Sequence, residues 1–241
     1  MAIVSNIVFL ANGYDLAQAL TEFSFEADGE ELDATVVANT GAFRTYVQGF
    51  KSGSLQGTGI FDSDDVDADR IHDVLSAAYT SGTAQNVTAS RGVVTVGAPA
   101  LMMDGSVMTY DIPHDTGALI MVNATWRANG CIRFGRWLMN SLQAAGTNNG
   151  TSLDNAASSA NGGFLQVHLY NDDASDVDVK LQHSTNNTDW VDVSGGAVNN
   201  LSATRASGSV SVSGTINRYI RVVATVTGGD TFLVSAAFAR G

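Results

Sequence analysis

From Phe164 to Phe238 the chain alternates apolar and polar residues over short runs separated by clusters of turn formers. The runs are Phe164 to Tyr170, Val177 to His183, Trp190 to Val193, Ser209 to Ser213, Tyr219 to Val226 and Phe232 to Phe238. A period of two places successive side chains on opposite faces of a strand and is incompatible with a helix. Twenty-five Gly against two Pro supply the turns. This pattern predicts two packed antiparallel sheets, a small sandwich or jelly roll, with Val179, Leu181, Ile220, Val222, Val234 and Phe238 facing inward.

The first half reads as strands at Ile3 to Leu10, Leu20 to Glu26, Tyr46 to Phe50, Ser54 to Phe61, Val93 to Val96, Val107 to Ile112 and Ala118 to Trp126. One helix interrupts them. Val66, Ile71, Val74, Leu75, Ala78 and Tyr79 recur at helical spacing behind an acidic first turn, predicting a helix over about 65–80 that ends near Gly82. Asp64 or Asp65 is placed to cap it, and Asp67 and Asp69 to favour the positive end of its dipole. The same Asp-rich run lacks the Gly and terminal Glu of a calcium loop. The segment 144–163, dense in Asn, Gly, Ser and Ala, reads as a linker. The expected division is therefore a β domain over 1–147 and a C-terminal β-sandwich over 148–241.

Composition limits the function. Net charge is −12, and residues 1–80 hold thirteen acids against three bases, a balance unsuited to gripping phosphates. No run of eighteen apolar residues is present, and Met1 to Leu10 lacks the basic start of a secretory signal. The lone Cys131, beside Ile132 and Phe134, is expected to be a small buried hydrophobe. His72, His114, His168 and His183 have no metal-ligand spacing, and neither a nucleophile elbow nor a phosphate-binding glycine loop occurs. The expectation is a non-enzymatic protein with no catalytic residue, cofactor or metal. Trp190 at a strand start is expected to close the sandwich core, while its place after the polar turn 184–189 raises a rival, a virion surface or carbohydrate-binding β module; a capsid-decorating protein is a third reading.

Several motifs in order carry a resemblance. Leu20-Thr-Glu-Phe-Ser-Phe-Glu26, Tyr46-Val-Gln-Gly-Phe-Lys-Ser-Gly-Ser-Leu-Gln-Gly-Thr-Gly-Ile-Phe-Asp62, Lys180-Leu-Gln-His-Ser-Thr-Asn-Asn-Thr-Asp-Trp190, Asn217-Arg-Tyr-Ile-Arg221 and Ala-Phe-Ala-Arg240 together resemble the major tail tube proteins of long-tailed, siphovirus-like bacteriophages. The resemblance implies a virion structural protein assembled in the host cytoplasm. It implies subunits in hexameric rings that stack around a lumen for DNA, which passes without specific binding. The other implied partners are tail tip and head–tail connector proteins, with no membrane. It also implies that the long loop 27–44 reaches the neighbouring ring. Leu32, Val36, Val37 and Phe43 would be its apolar anchors, with Arg44 at its end. The C-terminal domain would then lie on the tube exterior.

Overall fold

A computed structural model describes residues 7–35, 44–62, 70–170, 176–202, 205–228 and 231–241. The fold is mainly β, with fifteen strands and one helix among these residues. In chain order the strands begin with β1 (Ile7–Ala11), β2 (Tyr14–Asp15), β3 (Leu20–Asp33), β4 (Tyr46–Ile60), the helix α1 (Ile71–Ser81), β5 (Gln85–Arg91), β6 (Pro99–Asp111) and β7 (Met121–Gln143). They continue with β8 (Gly146–Asn149), β9 (Leu153–Asp154), β10 (Gly163–Tyr170), β11 (Asp176–Ser184), β12 (Val191–Ser202), β13 (Arg205–Val212), β14 (Tyr219–Thr227) and β15 (Phe232–Arg240). A ten-stranded sheet runs β13-β10-β15-β7-β6-β5-β1-β2, with the β3–β4 hairpin joined to β7 through β4. A five-stranded sheet runs β12-β11-β14-β8, and β9 also pairs with β14.

The chain divides into two compact units. Residues 1–19, 85–103 and 133–241 form one, here unit 1; residues 20–84 and 104–132 form unit 2. This differs from the expected boundary at 147. β15 pairs along β7 from Phe232↔Gln143 to Phe238↔Arg136, so the sandwich completes one of its sheets with a strand from the first half. Leu138 and Met139 of β7 enter the sandwich core directly. Nor is 144–163 a free linker: β8 and β9 hydrogen-bond to β14 through backbone groups, which need no large side chain.

The alternation does fix the sandwich interior. Val179, Leu181, Ile220, Val222, Val234 and Phe238 are all buried in one cluster with Leu165, Val167 and Leu169 of β10. Each large side chain so buried stabilises by about 1.5–3 kcal/mol. The opposite face of β10 is buried too. There Phe164 joins Leu10, Met102 and Trp137, while Gln166 and His168 form a polar network.

That network is fully connected. Thr88 Oγ1 donates to Gln166 Oε1 at 2.8 Å and accepts from His168 Nε2 at 2.8 Å, leaving His168 Nδ1 to accept from the Gly13 amide at 3.4 Å. Gln166 Nε2 donates to Asn86 Oδ1 and to the Met103 carbonyl, both at 3.2 Å. Burial pushes the His168 pKa down to about 3, so the ring is neutral. The Asn12-Gly13 turn, with φ of 51° and 89°, allows β1 and β2 to lie directly against β10 and β13.

In unit 2 the helix starts at Ile71, behind Arg70, rather than near Asp65; the expected caps Asp64 and Asp65, with Val66, Asp67 and Asp69, fall outside the described residues. Arg70 makes no side-chain cap but pairs with Asp62 at 3.0 Å. The helix ends as expected, at Gly82 in the left-handed region. Ile71, Val74, Leu75 and Ala78 form its buried face. Two of the expected strands differ in the structure. Val93 to Val96 is irregular because β5 stops at Arg91 before the left-handed Gly92, and Ala118 to Ile120 precede β7, which runs on as far as Gln143.

Candidate assembly interface

The β3–β4 hairpin has a root joined to β7 and, among the described residues, a distal part paired only within itself. At the root, Leu55 and Trp126 are fully buried and Phe23 nearly so, and Ser54 to Ile60 pair with Arg127 to Met121 of β7. Side chains close directly over Gly53 and Gly57 there: a Cβ would overlap Ile132 Cδ1 at the first and touch Leu20 at 3.0 Å at the second. Beyond Gly53, among the described residues, β4 has β3 as its sole partner and β3 has β4. Residues 46–53 of the arm therefore project roughly 26 Å, at about 3.3 Å per residue, with backbone edges open on both sides.

Of the loop expected over 27–44, residues 27–33 are instead part of strand β3, while 36–43 lie outside the described residues. Pairing continues to Asp33↔Tyr46, and Ala34 and Thr35 close on Thr45 by backbone and hydroxyl hydrogen bonds. A register shift between Gly29 and Glu31 sets Gly49 and Phe50 opposite Glu30, whose carboxylate accepts from the Phe50 amide at 3.3 Å. That bulge leaves Phe50 88% exposed. Leu32 stands directly opposite Val47, and both are exposed, as is Tyr46.

Of the anchors read from the sequence, Leu32 lies on this arm and Arg44 pairs with Asp33 at 3.4 Å. Val36, Val37 and Phe43 fall outside the described residues. Tyr46, Val47 and Phe50 lie in the predicted strand Tyr46 to Phe50, between Arg44 and Lys51, and nothing in that pattern marks them as a contact surface. Their significance rests on exposure, which a strand pattern does not reveal.

Charge is unevenly divided. β3 carries Glu22, Glu26, Asp28, Glu30, Glu31 and Asp33 and no base. Unit 2 holds fifteen acids against four bases, whereas unit 1 holds nine against eight. Hydrogen bonds from Thr35 hold the Asp33 carboxyl below its ordinary pKa, keeping it ionised.

The other candidates resolve individually. Cys131 is exposed rather than buried, since this part of β7 turns both faces largely to solvent. His72 bonds to the Tyr110 hydroxyl, and His183 accepts from the Asn217 amide at 3.2 Å. No three His, Cys, Asp or Glu side chains stand together as a metal site among the described residues. Trp190 does not close the sandwich core; it is half-buried, with the Arg221 guanidinium 4.3 Å from its ring centre, so one ring face is already covered.

No protein-family model matches the chain, and no curated protein does. Among solved structures, it is similar to a chain of the native gene transfer agent virion, at 14% identity, TM-score 0.43, over 56% of this chain and 98% of that one. It is also similar to the SPP1 tail tube protein, at 14% identity, TM-score 0.42, over 54% and 77%. A third similarity, to the SPP1 Dit hub protein, has 11% identity and TM-score 0.37 and spans 96% and 98%. These chains come, in that order, from a virion, a tail tube and the hub of an adsorption apparatus.

Proposed function

We propose that the chain is the structural subunit of a bacteriophage tail tube, forming rings, six copies in each, that stack around a lumen for DNA. The observation that carries this reading is the projecting β3–β4 arm, whose edges and exposed Leu32, Tyr46, Val47 and Phe50 are left uncovered by the described residues of one subunit. An exposed two-stranded arm of this length is an aggregation hazard unless another copy covers it. Head-to-tail docking of the arm on the next ring is a heterologous contact, which extends instead of closing.

The acidity of unit 2 suits a conduit, because DNA slides past a wall that does not bind phosphate. In this reading the subunit lies in the virion, is assembled in the host cytoplasm, and meets tail tip and connector proteins at the tube ends. It performs no catalysis.

The test shortens the arm. Gly29 and Lys51 are paired across the hairpin, so replacing residues 30–50 by Asn-Gly closes it with a two-residue turn and leaves the root intact. The full chain should form tubes in negative-stain images, and the shortened chain should fold but stay as subunits or single rings. Normal tubes from the shortened chain would overturn the stacking role. Absence of tubes or rings from the full chain at any salt concentration would overturn the function itself.

A further inference from the structure

We propose that the cleft beside Phe134 and Arg136 on unit 1 receives the acidic arm of a second copy of this chain. The inference rests on the reading of the arm as an assembly element and names the surface that it meets. The cleft has a volume of about 150 Å³ and is lined by Phe134, Gly135, Arg136, Leu153, Asn155 and Arg240 among others. Gly135 keeps its floor low, since a Cβ there would come within 2.6 Å of the Phe238 carbonyl and of Met102 Cε.

Two guanidiniums at this site are oriented without being neutralised. Arg136 donates to the Gly97 carbonyl at 2.7 Å, and Arg240 donates to the carbonyls of Ala157 and Ile216 at 2.7 Å and of Asn217 at 3.0 Å. Carbonyl oxygens fix the direction of a guanidinium and leave its full positive charge. The neighbouring Arg218, by contrast, is matched by Asp154 in a two-pronged pair at 2.7 and 2.6 Å. The cleft thus gathers two arginines that no carboxylate among the described residues pairs, in a chain of net charge −12.

Its chemistry calls for carboxylates beside apolar side chains. Phe134 is 70% exposed at the cleft, and Leu153 contributes to its wall. The arm offers Glu30 and Glu31 next to Leu32, with Val47 opposite Leu32 and Phe50 beyond the bulge. A single-stranded nucleic acid would also satisfy the arginines and stack a base on Phe134, but the net charge of −12 opposes an approaching polyanion.

Charge exchange tests the pairing in the full-length chain. Arg136→Glu and Glu31→Arg alone should each fold with an unchanged melting temperature yet shorten or abolish tubes, and the two together should restore tube length. In a Cys131→Ser background, Glu31→Cys with Phe134→Cys should give disulfide-linked ladders of subunits on mild oxidation, a readout that survives if Arg136→Glu does not fold. Normal tubes from Arg136→Glu, alongside failure of the shortened arm, would overturn this receptor and leave the arm's role standing. Failure of the paired charges to recover assembly, with both single variants folded and the ladder absent, would overturn it as well. A 20-nucleotide single strand whose binding is lost in Arg136→Glu, while tubes remain intact, would reassign the cleft to phosphate.

Discussion

Replacing Gly13 by Ala tests how tightly the first hairpin is bound into unit 1. Gly13 has φ of 89°, and a Cβ added there would lie 2.7 Å from the Ala206 amide nitrogen and 2.9 Å from the carbonyl oxygens of Ala206 and Leu169. All three are backbone atoms of the paired strands β10 and β13, so none can rotate away. The left-handed conformation costs an L-residue about 1–2 kcal/mol, and forcing an extra methyl into a packed site adds about 1–3 kcal/mol. The expected destabilisation is therefore roughly 2–5 kcal/mol, or several degrees in melting temperature for a chain of this size. Gly82→Ala is the control. Its φ is also positive, at 61°, but nothing lies within 4 Å of its Cβ, so it should lose only about 1 kcal/mol. Urea unfolding of a non-assembling variant, such as the shortened arm, measures both. Equal losses within about 0.5 kcal/mol would show that β1 and β2 do not pack on β10 and β13 as described, and the reasoning would fail.

Three further predictions follow from the same packing. Leu75→Ala, at a site 1% exposed, should destabilise unit 2 by roughly 2–5 kcal/mol, whereas Tyr79→Ala, 52% exposed on the other helix face, should cost below about 0.5 kcal/mol in a non-assembling form; urea midpoints decide. His168 is neutral in the folded state down to about pH 3 but titrates near 6.5 when unfolded, so the unfolded chain binds the extra proton and stability falls as pH drops between those values, by up to about 1.4 kcal/mol per pH unit. Protonation would also turn Nδ1 from acceptor into a donor facing the Gly13 amide. His168→Gln should remove this slope relative to the parent protein, with Asp15, whose carboxyl is raised by burial, present in both. Finally, tubes should not retain duplex DNA at about 0.15 M salt in a filter-binding assay, since the net negative charge disfavours phosphate contacts.

The alternation of residues 164–238 was enough to specify strands and their buried faces, because one-sided burial allows only one register of side chains. Val179, Leu181, Ile220, Val222, Val234 and Phe238 therefore point inward as their spacing requires. The end of α1 was equally local, set by the conformational freedom of Gly82. The projecting arm was legible only as an unusually long interval between Leu20 to Glu26 and Tyr46 to Phe50. Acidic and glycine-rich residues there lack a strand period, so nothing local distinguishes a loop from a paired ribbon. Pairing across the hairpin decided it, through hydrogen bonds between residues up to thirty-nine positions apart, as in Leu20↔Gly59.

Sheet membership was likewise a tertiary matter. Sequence determined that β7 and β15 are strands' worth of buried residues at Trp126 and Phe238, yet the choice of β7 as partner for β15 depends on which backbone edge is nearest once both sheets pack. Backbone hydrogen bonds are the same for every residue type, so an edge carries no sequence label. That is why the break expected at 147 gave way to a division in which 133–241 is joined with 1–19 and 85–103. The same holds for Arg136 and Arg240, more than a hundred residues apart, which line one cleft solely because β7 and β15 run antiparallel side by side.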